Sequence, residues 1–204
     1  MNFTILASLI VLSIALMVAI KRQAKKADSI DRDFWDREAR SNMVRKKSLD
    51  NLDYINIPLE QFPTNLLNDD AEVMDYIDVL SELTGKKIVN FSGFSNTDLK
   101  LEYGAGNLPE LSEYDSNYTV MVRTIQAWAD RLLSAGYGKE ASLLMEYAIS
   151  TGTDITATYD KLADYYFEKK EFGDIDKLIY RAELLKSPNK KIILKHLKDN
   201  YPQL

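Results

Sequence analysis

One histidine, His196, and no cysteine bound the chemistry this chain can perform. Without a thiol there is no disulfide, no thiolate nucleophile and no cysteine metal site. No histidine pair at ligand spacing, nucleophile elbow or phosphate-binding loop is present. The run Gly104-Ala-Gly106-Asn-Leu-Pro109 has two of the glycines of a dinucleotide turn, but Pro109 replaces the third and no strand–turn–helix context surrounds it. Asp98, Glu102, Glu110, Glu113 and Asp115 are acidic without the spacing of a calcium loop. Acid–base work by carboxylates alone stays open. These residues predict a protein that is not an enzyme, with no cofactor, no metal and no small-molecule substrate. An enzyme using carboxylates only is the alternative.

The elements that would position any site begin with charge. The net charge of −5 divides into an uncharged stretch at residues 1–20, +5 over 21–47, −11 over 48–115 and +1 over 116–204. Nucleic-acid binding needs a basic face over the folded domain, so nucleic acid is not an expected partner. The one strongly basic stretch follows an apolar run from Phe3 to Ile20. Eighteen helical residues reach about 27 Å, close to the hydrocarbon core of a bilayer. Residues 1–20 are therefore expected to form a transmembrane anchor. A cleaved signal peptide is the alternative, opposed by the absence of preceding Lys or Arg and of a cleavage site. Lys21, Arg22, Lys25 and Lys26 would contact the membrane surface, with the lipid bilayer as a partner. They would also hold the bulk of the chain in the cytoplasm, leaving the N-terminus outside.

Residues 21–47 contain no Gly or Pro and predict a basic juxtamembrane helix with Ile30, Phe34 and Trp35 on a narrow apolar face, packed on the domain or on a partner. Residues 48–121 predict an extended strap followed by a helical and irregular acidic segment. In the strap, Pro58 and Pro63 prevent a long helix, while Leu52, Tyr54, Ile55, Ile57, Leu59 and Phe62 supply apolar contacts. A short edge strand is the alternative there. Val73, Ile77 and Leu80 at i, i+4 and i+7 predict a helix over 69–83, with acids in its first turn and Gly85 after its end. Residues 88–118 read as the least regular part, with one short helix started by Ser95-Asn-Thr-Asp98.

From residue 122 onward, side chains recur at an offset of 34. Ile125 pairs with Tyr159, Trp128 with Leu162, Ala129 with Ala163 and Leu132 with Tyr166. Ala141 pairs with Ile175, Met145 with Ile179 and Ala148 with Ala182. Gly136-Tyr-Gly138 and Phe172-Gly173 fall between the helices of each unit, and Ile193 and Leu197 continue the phase into a lysine-rich segment. This pattern resembles the tetratricopeptide repeat. The resemblance implies two helical hairpins and a capping helix over 122–204, and His196 falls at a packing position. An irregular helical bundle is the alternative. The fold class expected for the whole chain is mostly α: a transmembrane helix, a juxtamembrane helix and an α-helical domain ending in these hairpins. The layout resembles small uncharacterised membrane-anchored proteins of Gram-positive bacteria.

The resemblance also implies that the inner face of the first helices is a peptide groove. It would be formed by Arg123, Gln126 and Asp130, then Asp160, Asp164 and Phe167, then Lys191, Lys195 and Lys198. The function this implies is a membrane-anchored protein–protein interaction module, a scaffold or adaptor for a cytoplasmic protein or peptide. A structural subunit of a larger membrane complex is the alternative.

Overall fold

The computed structural model describes residues 3–201, with the side chains of residues 12–25 and of 30 onward. Among the described residues the chain is mostly helical, with eight α-helices and two short 3-10 turns. The helices are α1 (Phe3–Asn42), α2 (Ala71–Leu83), α3 (Asn96–Tyr103), α4 (Leu108–Ser134), α5 (Gly138–Ser150), α6 (Thr156–Lys169), α7 (Phe172–Glu183) and α8 (Lys190–Asn200). They divide into two compact units. One holds the chain up to Lys47 with Asn96–Asn107; the other holds Ser48–Ser95 and the chain from Leu108 onward. The first unit breaks from the second at 47/48, α3 belongs with α1, and α2 and all of α4 share a unit with the helices that follow, with no division at 121/122.

No helix among the described residues is long and apolar enough to cross a membrane. The expected transmembrane anchor, its outside-to-cytoplasm topology and the membrane localisation are corrected by this finding. Among the described side chains, the apolar stretch ending at Ile20 is followed at once by Lys21 and Arg22. The earlier part of the expected span lies outside the described side chains. Ile30, Phe34 and Trp35 were expected to pack on the domain or on a partner. All three are exposed, with the Phe34 and Trp35 rings edge to face at 5.3 Å.

Within the first unit, polar contacts join α1 to α3. Glu38 pairs with Lys100 and accepts from Thr97 Oγ1 at 2.6 Å, and Arg37 pairs with Asp98. Gly104, at φ +92°, crosses against the Arg45 carbonyl, where a Cβ has no room. Asn107 Nδ2 then donates to the carbonyls of Lys47 and Tyr103, each at 2.8 Å.

The second unit is built around α4. The expectation of an irregular acidic segment through residue 118 is corrected here, since α4 starts at Leu108. Pro109 sits in the first turn, where its missing N–H is not needed. Leu111, Tyr114, Tyr118, Val122, Ile125, Trp128, Ala129 and Leu132 then form one buried stripe at helical spacing. The acids Glu110, Glu113 and Asp115 ride on the other faces. Helix α2 packs on α4. Asp70 caps α2 by accepting from Glu72 N at 3.0 Å and also pairs with Arg131 of α4. The segment before α2 lies along the same core. Ile57 and Phe62 are buried, and the Phe62 ring stands edge to face with Trp128 at 6.0 Å and Tyr147 at 5.1 Å.

Helix α5 packs on α4, α6 on α5, α7 on α6, and α8 on both α6 and α7. The two turns share a device. After α4, Gly136 takes φ +86° and Tyr137 N donates to Leu132 O at 2.9 Å. After α6, Lys170 takes φ +62° and Glu171 N donates to Tyr166 O at 2.9 Å. Both are left-handed helix ends.

Candidate functional site

The nine residues expected to face a partner lie on α4, α6 and α8, and hydrogen bonds link these helices at two joints. At the first joint, Thr158 Oγ1 of α6 donates to the buried Gln126 Oε1 of α4. Gln126 Nε2 donates to Asp130 Oδ1 at 2.6 Å, and Lys161 Nζ reaches the same oxygen at 2.7 Å. At the second joint, His196 Nδ1 of α8 lies 3.1 Å from Asp160 Oδ2 of α6, and the Tyr201 hydroxyl donates to Asp164. The Phe167 ring packs against Phe172 at 5.8 Å and Tyr201 at 5.6 Å, yet stays 49% exposed.

Gln126 and Asp130 are thus brought together, and Asp164 and Phe167 share Tyr201 as a neighbour. Lys198 turns to Glu183 of α7 at 3.0 Å. Arg123, Lys191 and Lys195 are exposed. Lys21, Arg22 and Lys25, expected at a membrane surface, are exposed on α1, and the side chain of Lys26 lies outside the described residues.

Burial and the Asp164 carboxylate push the Tyr201 hydroxyl up from its usual range. It therefore remains a neutral donor at any physiological pH. Tyr147, on the strap side of α5, is pushed up to about 12 by burial alone. Most of the titratable side chains of the face are committed to one another. The arrangement offers a second molecule an aromatic surface and pre-positioned polar groups. Among the described residues, no group of three or more His, Asp or Glu is placed to hold a metal ion.

Thr158, Lys161 and Tyr201 were not among the residues expected here. The signal that finds Tyr201 is the repeat offset itself, because Leu133, Phe167 and Tyr201 are spaced by 34. A groove of about 510 Å³ lies beside the first joint, lined by Leu133, Gly138, Lys161, Asp164 and Tyr165 among others. In comparisons with family models, curated proteins and solved structures, none matches this chain.

Proposed function

We propose that this chain is a protein-interaction module that binds an extended peptide segment on the α4–α6–α8 face. The tetratricopeptide-like reading is supported by equivalent burial at the repeat offset. Ile125 and Tyr159, Trp128 and Leu162, Ala129 and Ala163, and Ala148 and Ala182 are all buried. The left-handed residues Gly136 and Lys170 share the offset, as do the first residues of α5 and α7.

The observation that carries the binding role is Phe167. A half-exposed ring, fixed by two neighbouring rings and flanked by hydrogen-bonded polar groups, has little side-chain freedom left to lose on binding. Rigid aromatic groups of this kind dominate interface energetics. The test is site-specific photocrosslinking in native cells, with a crosslinking residue at position 167 or at position 180. Tyr180 is 61% exposed on α7 and serves as the off-face control. Discrete adducts at 167 and not at 180 are the expected result. Equal adducts at both positions, or none at 167, would refute the reading.

A further inference from the structure

The helices of the second unit end in two faces of opposite charge. Helix α2 packs on α4 at one end of the series, and α8 packs on α6 and α7 at the other. Between Ala71 and Leu83, α2 carries acids and no Lys or Arg. Val73, Leu80 and Leu83 are buried, while Asp75, Asp78 and Glu82 are exposed at i, i+3 and i+7, with Met74 beside them. Helix α8 is the reverse. Ile193 and Leu197 are buried, His196 reaches Asp160 of α6, and Lys198 reaches Glu183 of α7. Lys191 and Lys195, one turn apart, are exposed on the face left over, with Ile192 half exposed nearby and Asp199 the one acid of the helix. Among the described residues, none of Asp75, Asp78, Glu82, Lys191 and Lys195 makes an ion pair.

The repeat phase explains why both faces are open. Ile193 and Leu197 stand 34 residues after Tyr159 and Ala163, so α8 holds the place of a first helix, and it is the last described helix. Helix α2 packs on α4 as α5 packs on α6, which is the place of a second helix. In a helical repeat each unit contacts its neighbours, so the outer face of α8 is where a further helix would stack. Charge selects α2 of another copy for that place. Setting α2 against α2, or α8 against α8, would bring like charges together. A contact between two different faces of identical chains is heterologous and leaves one of each face free, so copies add in series.

We infer that copies of this chain associate head to tail, with the acidic outer face of α2 on one copy docked against the Lys191 and Lys195 face of α8 on the next. The contact stands apart from the peptide-binding reading, since neither face includes Phe167. The test is analytical ultracentrifugation of the full chain and of two charge reversals. One carries Asp78→Lys with Glu82→Lys on α2, and the other carries Lys191→Glu with Lys195→Glu on α8. All four positions are exposed, and circular dichroism checks that each variant keeps its helices. The mass of the unaltered chain should rise with concentration at low salt. Association should weaken by about tenfold or more as salt is raised from about 0.1 M to about 1 M, where the screening length shrinks from about 10 Å to about 3 Å. Each reversal alone should weaken association by about tenfold or more. An equimolar mixture of the two should recover it, because every reversed face then meets its complement. Should a reversal lose helix content, Asp78→Asn with Glu82→Gln and Lys191→Gln with Lys195→Gln serve instead, and their mixture should stop at a pair. A chain that stays monomeric, association that neither reversal weakens, or a mixture no stronger than its separate components would overturn the inference.

Discussion

The α4/α5 and α6/α7 hairpins carry the same residue spacing and end up in different surroundings. Helix α5 buries Ala141, Ser142, Leu144, Met145, Ala148 and Ile149, whereas α7 buries only Ile175, Leu178 and Ala182. The difference comes from chain outside the repeat. Residues before α2 lie against α5, with Phe62 on Tyr147 and the Tyr147 hydroxyl donating to Asn56 O at 2.9 Å. One offset later the Tyr147 position holds Arg181, and nearby Tyr180 and Leu184 are exposed. The spacing decides how helices pair within a hairpin. The non-repeating segment decides which hairpin presents a second face.

Removing the Phe62 ring tests that difference most severely. Phe62→Ala should cost about 3–5 kcal/mol, the usual range for emptying a buried aromatic position. Tyr180→Ala, on the uncovered hairpin, should change stability by no more than about 0.5 kcal/mol. Urea unfolding of the two variants measures both. Comparable losses would mean that the two hairpins are equally supported and that the segment before α2 adds nothing.

The joints should differ in the same direction. Thr158→Val deletes the donor to Gln126 and leaves a buried carbonyl oxygen without it. The expected loss is about 1–3 kcal/mol. His196→Ala breaks the half-exposed contact to Asp160, for which about 0–1 kcal/mol is expected. If His196→Ala proves the costlier change, the first joint is not the stiffer of the two.

The turns give a smaller and signed comparison. Position 136 is glycine and position 170 is lysine in the same left-handed conformation. A side chain there costs roughly 1–2 kcal/mol. Lys170→Gly should therefore stabilise by somewhat under 1 kcal/mol once the added freedom of the unfolded chain is subtracted. Gly136→Lys should destabilise. The same sign for both changes, read as shifts in the urea midpoint, would show that the two turns are not equivalent.

Much of this arrangement was legible because it is periodic. Val73 and Leu80 fall on the buried face of α2 as their spacing predicts, while Asp70, expected inside the first turn, is the cap that precedes it. The beginning of α4 was not legible, since two glycines, Pro109 and a run of acids signal a loop more loudly than Leu111, Tyr114 and Tyr118 signal a helix. Burial against neighbouring elements settles that conflict, and a local pattern does not contain it. The exposure of Ile30, Phe34 and Trp35 was unreadable for the converse reason, because amphipathic spacing says which face is apolar and not whether anything covers it. Within the candidate site, the Thr158–Gln126 bond joins two residue types that usually lie at the surface. Only the approach of α6 to α4 makes them partners.

The least expected effect concerns the pair that fastens α2 to the first hairpin. Asp70 is held below the ordinary aspartate range, chiefly by the hydrogen bond from Arg131, with the N–H groups of Val73 and Glu72 adding to it against the cost of burial. A carboxyl whose folded value is depressed contributes stability that is complete above the unfolded value of about 3.9. That contribution disappears as pH falls through the lower folded value. Asp70→Asn isolates the charge, because asparagine also caps a helix well. The melting temperature of the variant should lie below that of the unaltered chain by a constant margin from about pH 8 to about pH 5, and the margin should close in stronger acid. A margin that holds unchanged to about pH 2 would show that the lost stability was capping geometry and not the carboxylate's charge. The tether between α2 and α4 would then be insensitive to acid, and the two hairpins would be expected to lose structure together as the pH is lowered.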